Sequence, residues 1–333
     1  MPSLHGAAGS SGPPRGKERR MRSRPLVAFF VIAFSVTWST QILGLVLARR
    51  TNLSLVNEDN LLHLFDLFAL RLAPGEAAAF LAYAFGFGPL VAALLVTWAA
   101  GGRRGIAELW GHITKWRVEP RWYLIVFLLP VALALISLAA GILFGGLRPG
   151  SYAPLLPLAS LVPFFLYMLV FTGLVEEPGW RGFALPRLQG RYSAARSSWI
   201  LGALWGMWHF PSIIYYNLAT GMPTLALIPI LVFLVLGTVG WTMVNTWVYN
   251  STESVFLMIV LHGWYNTVNS YLVLSSQNAL AQTLSGILPW ALAIVLLRVY
   301  GGEDLAAKPR PRAEPSQRSA GGLARGGLSE RPG

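Results

Sequence analysis

The sequence predicts an all-α integral membrane protein, a bundle of about eight transmembrane helices, and three observations carry that prediction. Hydrophobic residues make up 54% of the 333 and charged residues only 12%, roughly half the charge of a soluble domain at about 25%. Eight apolar runs are each long enough for the ~20 residues that a spanning helix needs. The connections between them alternate between rich and poor in Lys and Arg, the pattern that orients helices in a bilayer. Together these exclude a soluble enzyme and a chain disordered over most of its length. The net charge of +12 sits in the tails and between apolar runs, which fits anionic lipid rather than nucleic acid. The chain has no cysteine, so disulfides, thiolate nucleophiles, Fe–S clusters and cysteine zinc sites are excluded.

The elements follow in order. Residues 1–24 and 301–333 are rich in Gly, Ser, Pro and Arg without apolar periodicity, and are read as disordered basic tails. Between them, 25–300 form the membrane domain, with spans at about 25–48, 77–100, 122–146, 155–188, 198–217, 224–247, 254–274 and 279–300. The first run is too long for a signal h-region and no small-x-small cleavage site follows it, so it is read as a retained anchor. Ile106, Leu109, Trp110, Ile113 and Trp116 recur at helical spacing among Arg103, Arg104 and Lys115, which describes a helix lying on the membrane surface. Leu61–Leu72 is similar at the other end of the spans. With eight spans, 22 basic residues fall on the side of both tails and four (Arg49, Arg50, Arg71 and Arg148) on the other. That asymmetry puts both termini in the cytoplasm, with the plasma membrane as the expected location.

Ionisable groups at membrane depth are costly, by about 2.5–3.5 kcal/mol each on insertion scales, so the polar residues inside the runs are informative. Glu176 and Glu177 precede Arg181 in the fourth run. On a helix, Glu177 and Arg181 are i and i+4, with the acid N-terminal as a stable pair prefers. Glu176 points about 100° away and stays unpaired. Pro178 should loosen the turn before it. His209 falls midway along the fifth run, and His262 and Asn266 share one face of the seventh. Each alone is equally compatible with a packed, hydrogen-bonded polar group. If the fourth helix continues past Pro178 to about Leu188, the Glu, the two His and the Asn meet roughly 12–17 Å from one end of the bundle. A carboxylate and a His beside one water can act as general base and then general acid. A second His and an Asn can hold an oxyanion. Glu176, His209 and His262 also make up a familiar zinc set, although HExxH is absent. The cofactor is therefore either none or one divalent metal such as zinc.

Glu176-Glu177-x-x-x-Arg181, then His209, then His262-x-x-x-Asn266, in this order on successive helices, resembles the CPBP family of intramembrane endopeptidases, which includes CAAX prenyl proteases and bacteriocin-processing (Abi) proteins. The resemblance covers about residues 77–275, with the motifs in 176–266, and Phe87-Gly88-Pro89 adds to it. One position departs: the second motif is often Phe-x-x-x-His, and Trp205 stands in the Phe place. The resemblance implies eight helices around a polar catalytic cavity open to the cytoplasmic side. It implies Glu176 as the residue that activates water with His209, His262 and Asn266 at the oxyanion, and Glu177 and Arg181 orienting the site. The substrate would be a membrane-embedded or lipidated protein or peptide. The competing readings are a proton-coupled transporter using the Glu/His cluster as a relay, and a non-catalytic immunity or scaffold protein. The first would favour internally repeated halves, and none are visible.

Overall fold

The computed structural model describes residues 15–308. The stretches 1–14 and 309–333, which carry most of both expected tails, lie outside the described residues. Eleven helices make up the described chain, joined by short turns, with no strand among the described residues. They are α1 Arg15–Thr51, α2 Asn57–Phe68, α3 Pro74–Ala84, α4 Gly88–Ile113 and α5 Pro120–Phe144. Then come α6 Leu158–Gln189, α7 Ala194–Trp208, α8 Phe210–Ala219, α9 Leu227–Thr252, α10 Val255–Val268 and α11 Ala279–Tyr300.

Five helices are long and apolar enough to cross a membrane: those ending at Thr51, Phe144, Gln189, Thr252 and Tyr300. The pair α3 and α4, bent by 53°, makes a sixth if it is one span. Of the two expected spans that fall short, 198–217 is divided at His209 into helices of 15 and 10 residues, and 254–274 carries the polar His262 and Asn266. The outward faces agree with a lipid surround. Val27, Val31, Leu124, Leu128, Val162, Ile228, Val295 and Val299 are each more than half exposed, a distribution that water would penalise.

Three breaks shape the bundle, and each has a local cause. At Phe85–Gly88 the chain turns between α3 and α4. Thr37 Oγ1 donates to Gly86 O at 2.8 Å and accepts from Gly88 N at 3.1 Å, which pins the turn to α1. At Gly102 the backbone takes φ 55 inside α4, a left-handed conformation that glycine adopts without strain. The helix therefore swings into a separate segment with Leu109 and Ile113 buried and Trp110 exposed. At His209 the expected fifth span splits into α7 and α8. Pro211 has no N–H for the preceding turn and its ring crowds the carbonyl there. Trp38 Nε1 of α1 donates to the Trp208 carbonyl beside the break at 3.0 Å.

The central packing is close. Glycines let site-bearing helices touch through backbone: a Cβ on Gly173 of α6 would meet Ile259 O at 2.5 Å, across the contact with α10. Gly202 and Gly206, a G-x-x-x-G pair on α7, do the same against Val239 and Val235 of α9. Residues 301–308, read from composition as the start of a tail, are packed instead. Ala194 N donates to Glu303 O at 2.8 Å, Asn250 Nδ2 donates to Asp304 O at 2.7 Å, and Leu305 is fully buried. Asn250 and Thr252 are buried as well.

Candidate active site

The fourth span continues past Pro178 to Gln189, as the depth argument required, and does so by widening. Turns with π geometry occupy Leu169–Leu174 and Trp180–Ala184, on either side of the α-helical Val175–Gly179. Pro178 cannot donate to the turn before it, and π turns are where helices absorb such a defect, frequently at functional sites. A Cβ on Gly179 would lie 2.6 Å from Pro89 O, so the Phe87-Gly88-Pro89 turn seats the proline-containing segment.

The two carboxylates are divided as the helix geometry predicts. Glu177 is fully buried and its Oε1 accepts from Arg181 at 2.9 Å. The same oxygen accepts from His262 Nδ1 at 2.8 Å, a contact the sequence reading did not foresee. Arg181 is itself fully buried, with its guanidinium 4.4 Å from the Trp205 ring centre. Its burial removes it from the loop charges counted for orientation. Glu176 faces the other way, into a cavity of about 680 Å³ that His209, His262 and Asn266 also line. Glu176 is within electrostatic range of both histidines.

The remaining hydrogen bonds assign donors and acceptors. A carbonyl oxygen only accepts, so His209 Nδ1, 2.8 Å from Trp205 O, carries a proton and leaves Nε2 as the acceptor toward the cavity. His262 Nδ1 donates to the Glu177 carboxylate, so its Nε2 donates only when the ring is protonated. Asn266 Nδ2 donates one hydrogen to Thr172 Oγ1 at 3.2 Å, and its second N–H remains. The Thr172 hydroxyl donates in turn to Met168 O at 2.6 Å. Thr172 and Trp180 were not singled out from the sequence, and Trp205 was noted only as the residue in the Phe place of the second motif. The signals were there: Thr172 and Trp180 lie four residues either side of Glu176, and Trp205 lies four before His209.

The metal set Glu176, His209 and His262 does not fit. Among the described residues no group of three or more His, Asp or Glu could hold a metal ion. One Glu176 oxygen is occupied by two indole donors, Trp180 Nε1 at 3.1 Å and Trp205 Nε1 at 2.7 Å.

The cavity also reaches Val56, Asn57, Glu58, Asn217 and Leu274, at the end of the bundle that carries the connections 52–57, 219–224 and 274–279. Val56 and Asn57 are exposed there. The basic connections 103–121 and 187–196 gather at the opposite end, where Ser254 Oγ donates to Lys115 O at 2.5 Å. A cavity open to the cytoplasm and cytoplasmic basic connections therefore exclude each other.

Comparison with known proteins bears on the segment that carries these residues. Residues 158–268 match the family model "Type II CAAX prenyl endopeptidase Rce1-like". Over 94 residues the chain is 36% identical to CAAX prenyl protease 2 of Methanococcus maripaludis, covering 28% of this chain and 35% of that protein. The chain thus spans about a third of the length of the curated relative it matches. All six candidate residues, Glu176, Glu177, Arg181, His209, His262 and Asn266, fall inside 158–268, the segment that is similar to this family.

Proposed function

We propose that the protein is an intramembrane endopeptidase that hydrolyses a peptide bond of a membrane-embedded or lipidated protein or peptide. The observation that carries the reading is the meeting of Glu176, His209, His262 and Asn266 on one cavity wall. The family match and the named relative support it.

In this reading a water lies between Glu176 and His209 Nε2. Glu176 takes a proton from it, and the oxygen bonds to the scissile carbonyl carbon. Negative charge develops on the carbonyl oxygen, where protonated His262 Nε2 and the second Asn266 N–H donate to it. The C–N bond then breaks, and the proton held by Glu176 passes to the departing amine. Glu177 keeps the His262 ring oriented through Nδ1, while Arg181 offsets the Glu177 charge. The walls Trp205, Trp208, Phe171, Trp241 and Tyr265 exclude bulk water and suit an apolar substrate segment. The protein is proposed to lie in the plasma membrane with both termini cytoplasmic.

The test is a comparison of membrane peptides from cells carrying wild-type protein and Glu176→Ala. Uncleaved precursors that accumulate only in the variant support the reading. Identical peptide sets in both, with equal protein levels, overturn it.

A further inference from the structure

Two indole N–H groups converge on one oxygen of Glu176. Trp180 Nε1 reaches Oε2 from the same helix, one turn on, at 3.1 Å, and Trp205 Nε1 reaches it from α7 at 2.7 Å. Trp180 is fully buried and Trp205 is 4% exposed. The other oxygen, Oε1, has no hydrogen-bond partner among the described residues. Trp205 touches the rest of the site as well. Its carbonyl accepts from His209 Nδ1, its ring lies over the Arg181 guanidinium, and its ring centre is 5.6 Å from that of His262.

We propose that Trp205, acting with Trp180, is a positioning residue for the water-activating carboxylate: the paired donors hold Glu176 Oε2 and leave Oε1 as the carboxylate oxygen that faces the water. This rests on the reading of Glu176 as the group that activates water. The physical case is one of geometry and of cost. A carboxylate with both oxygens free can rotate and present either lone-pair edge, whereas two donors from different helices fix its plane. A buried carboxylate stripped of donors, or a buried indole N–H stripped of its acceptor, loses its hydrogen bond without water to replace it. Trp205 also couples two catalytic groups through one residue. Its side chain sets the Glu176 orientation while its backbone carbonyl sets which His209 nitrogen carries the proton. Phenylalanine, the residue of the motif from which this chain departs, would keep the ring and its face toward Arg181 and would lack the N–H.

The test uses the full-length protein in detergent micelles with ¹⁵N-indole-labelled tryptophan. Trp205→Phe and Trp180→Phe each remove one indole signal and so identify it. The expected result is that Glu176→Gln moves these two signals upfield and leaves the other indoles in place. Two signals unmoved by Glu176→Gln would overturn the proposal. The second arm measures cleavage of a peptide recovered from the Glu176→Ala membranes. Trp205→Phe should lower kcat about tenfold or more with KM nearly unchanged, as expected for a group that acts on orientation. A kcat equal to wild type overturns the positioning role, because Phe retains the packing. Should Trp205→Phe fail to fold, Trp180→Phe carries both arms. If wild-type protein cleaves nothing, the protease reading fails while the indole signals still decide whether the clamp exists.

Discussion

Glu176 and Glu177 are adjacent in sequence and chemically identical, and their surroundings separate them. Glu177 Oε1 is shared by Arg181 and His262 in a dry interior, while Glu176 lines the cavity and keeps one oxygen free. Glu176→Gln should therefore lower peptide cleavage by about 10²–10⁴-fold with little change in thermal stability, the range for loss of a general base. Glu177→Gln should retain measurable cleavage and lose stability. Removing one partner of a buried pair costs about 3–5 kcal/mol, and the amide oxygen of Gln still accepts, so the loss should fall toward the lower end. Peptide cleavage in liposomes alongside melting curves checks both. An inactive but fully stable Glu177→Gln would reverse the assignment. Asn266→Ala should lower kcat by about 10²–10³-fold, as removal of one oxyanion donor does, and an unchanged kcat would remove Asn266 from the oxyanion site.

At the scale of elements, the site depends on how closely α6, α7 and α10 approach one another. A Cβ on Gly173 would sit 2.5 Å from a backbone oxygen of α10, which no rotamer change can relieve. Gly173→Ala should therefore destabilise the protein by about 1–3 kcal/mol, the range for overpacking, and lower cleavage by shifting Glu176 from His262. Chemical or thermal unfolding in detergent measures the first effect and liposome cleavage the second; wild-type values in both would show that the helices can part at no cost. The strap 301–308 belongs to this scale too. Lys308 Nζ donates to Glu119 Oε1 at 3.1 Å at the start of α5, and that hydrogen bond holds the Glu119 carboxyl below its ordinary range. A lowered carboxylate pKa gives a contribution present above the ordinary value and lost as pH falls through the lowered one. Limited proteolysis within 301–308 should therefore quicken only as pH falls below the ordinary carboxylate value of 4.5, and Lys308→Ala should weaken that acid dependence.

For the whole molecule, charge and cavity point to opposite ends. With Arg181 buried in the site, the basic excess at the end of 103–121 and 187–196 still stands. The cavity emerges at Val56 and Asn57, at the sparsely charged end. The absence of native cysteine makes the orientation directly measurable. Asn57→Cys should react with a membrane-impermeant maleimide on intact cells, and Arg104→Cys only after permeabilisation. The inverse pattern would place the cavity mouth in the cytoplasm and show that the basic connections do not set the orientation. Labelling of both from one side would contradict the bundle itself.

The sequence by itself determined the helical membrane class, because apolar run length and charge alternation are local properties that survive without knowledge of packing. It also determined which residues meet. Glu176, His209, His262 and Asn266 are costly at membrane depth, and that cost makes them stand out from the apolar background. The i,i+4 pairing of Glu177 with Arg181 was legible for the same reason, since one helical turn sets it. Three things waited for the tertiary structure. The break at His209 is tied to α1 by Trp38, which donates to the Trp208 carbonyl from 170 residues away in sequence. The sharing of Glu177 by His262 and the indole clamp on Glu176 join different helices through side-chain directions that spacing does not specify. The end at which the cavity opens follows from how those helices splay, and residue order carries no record of it.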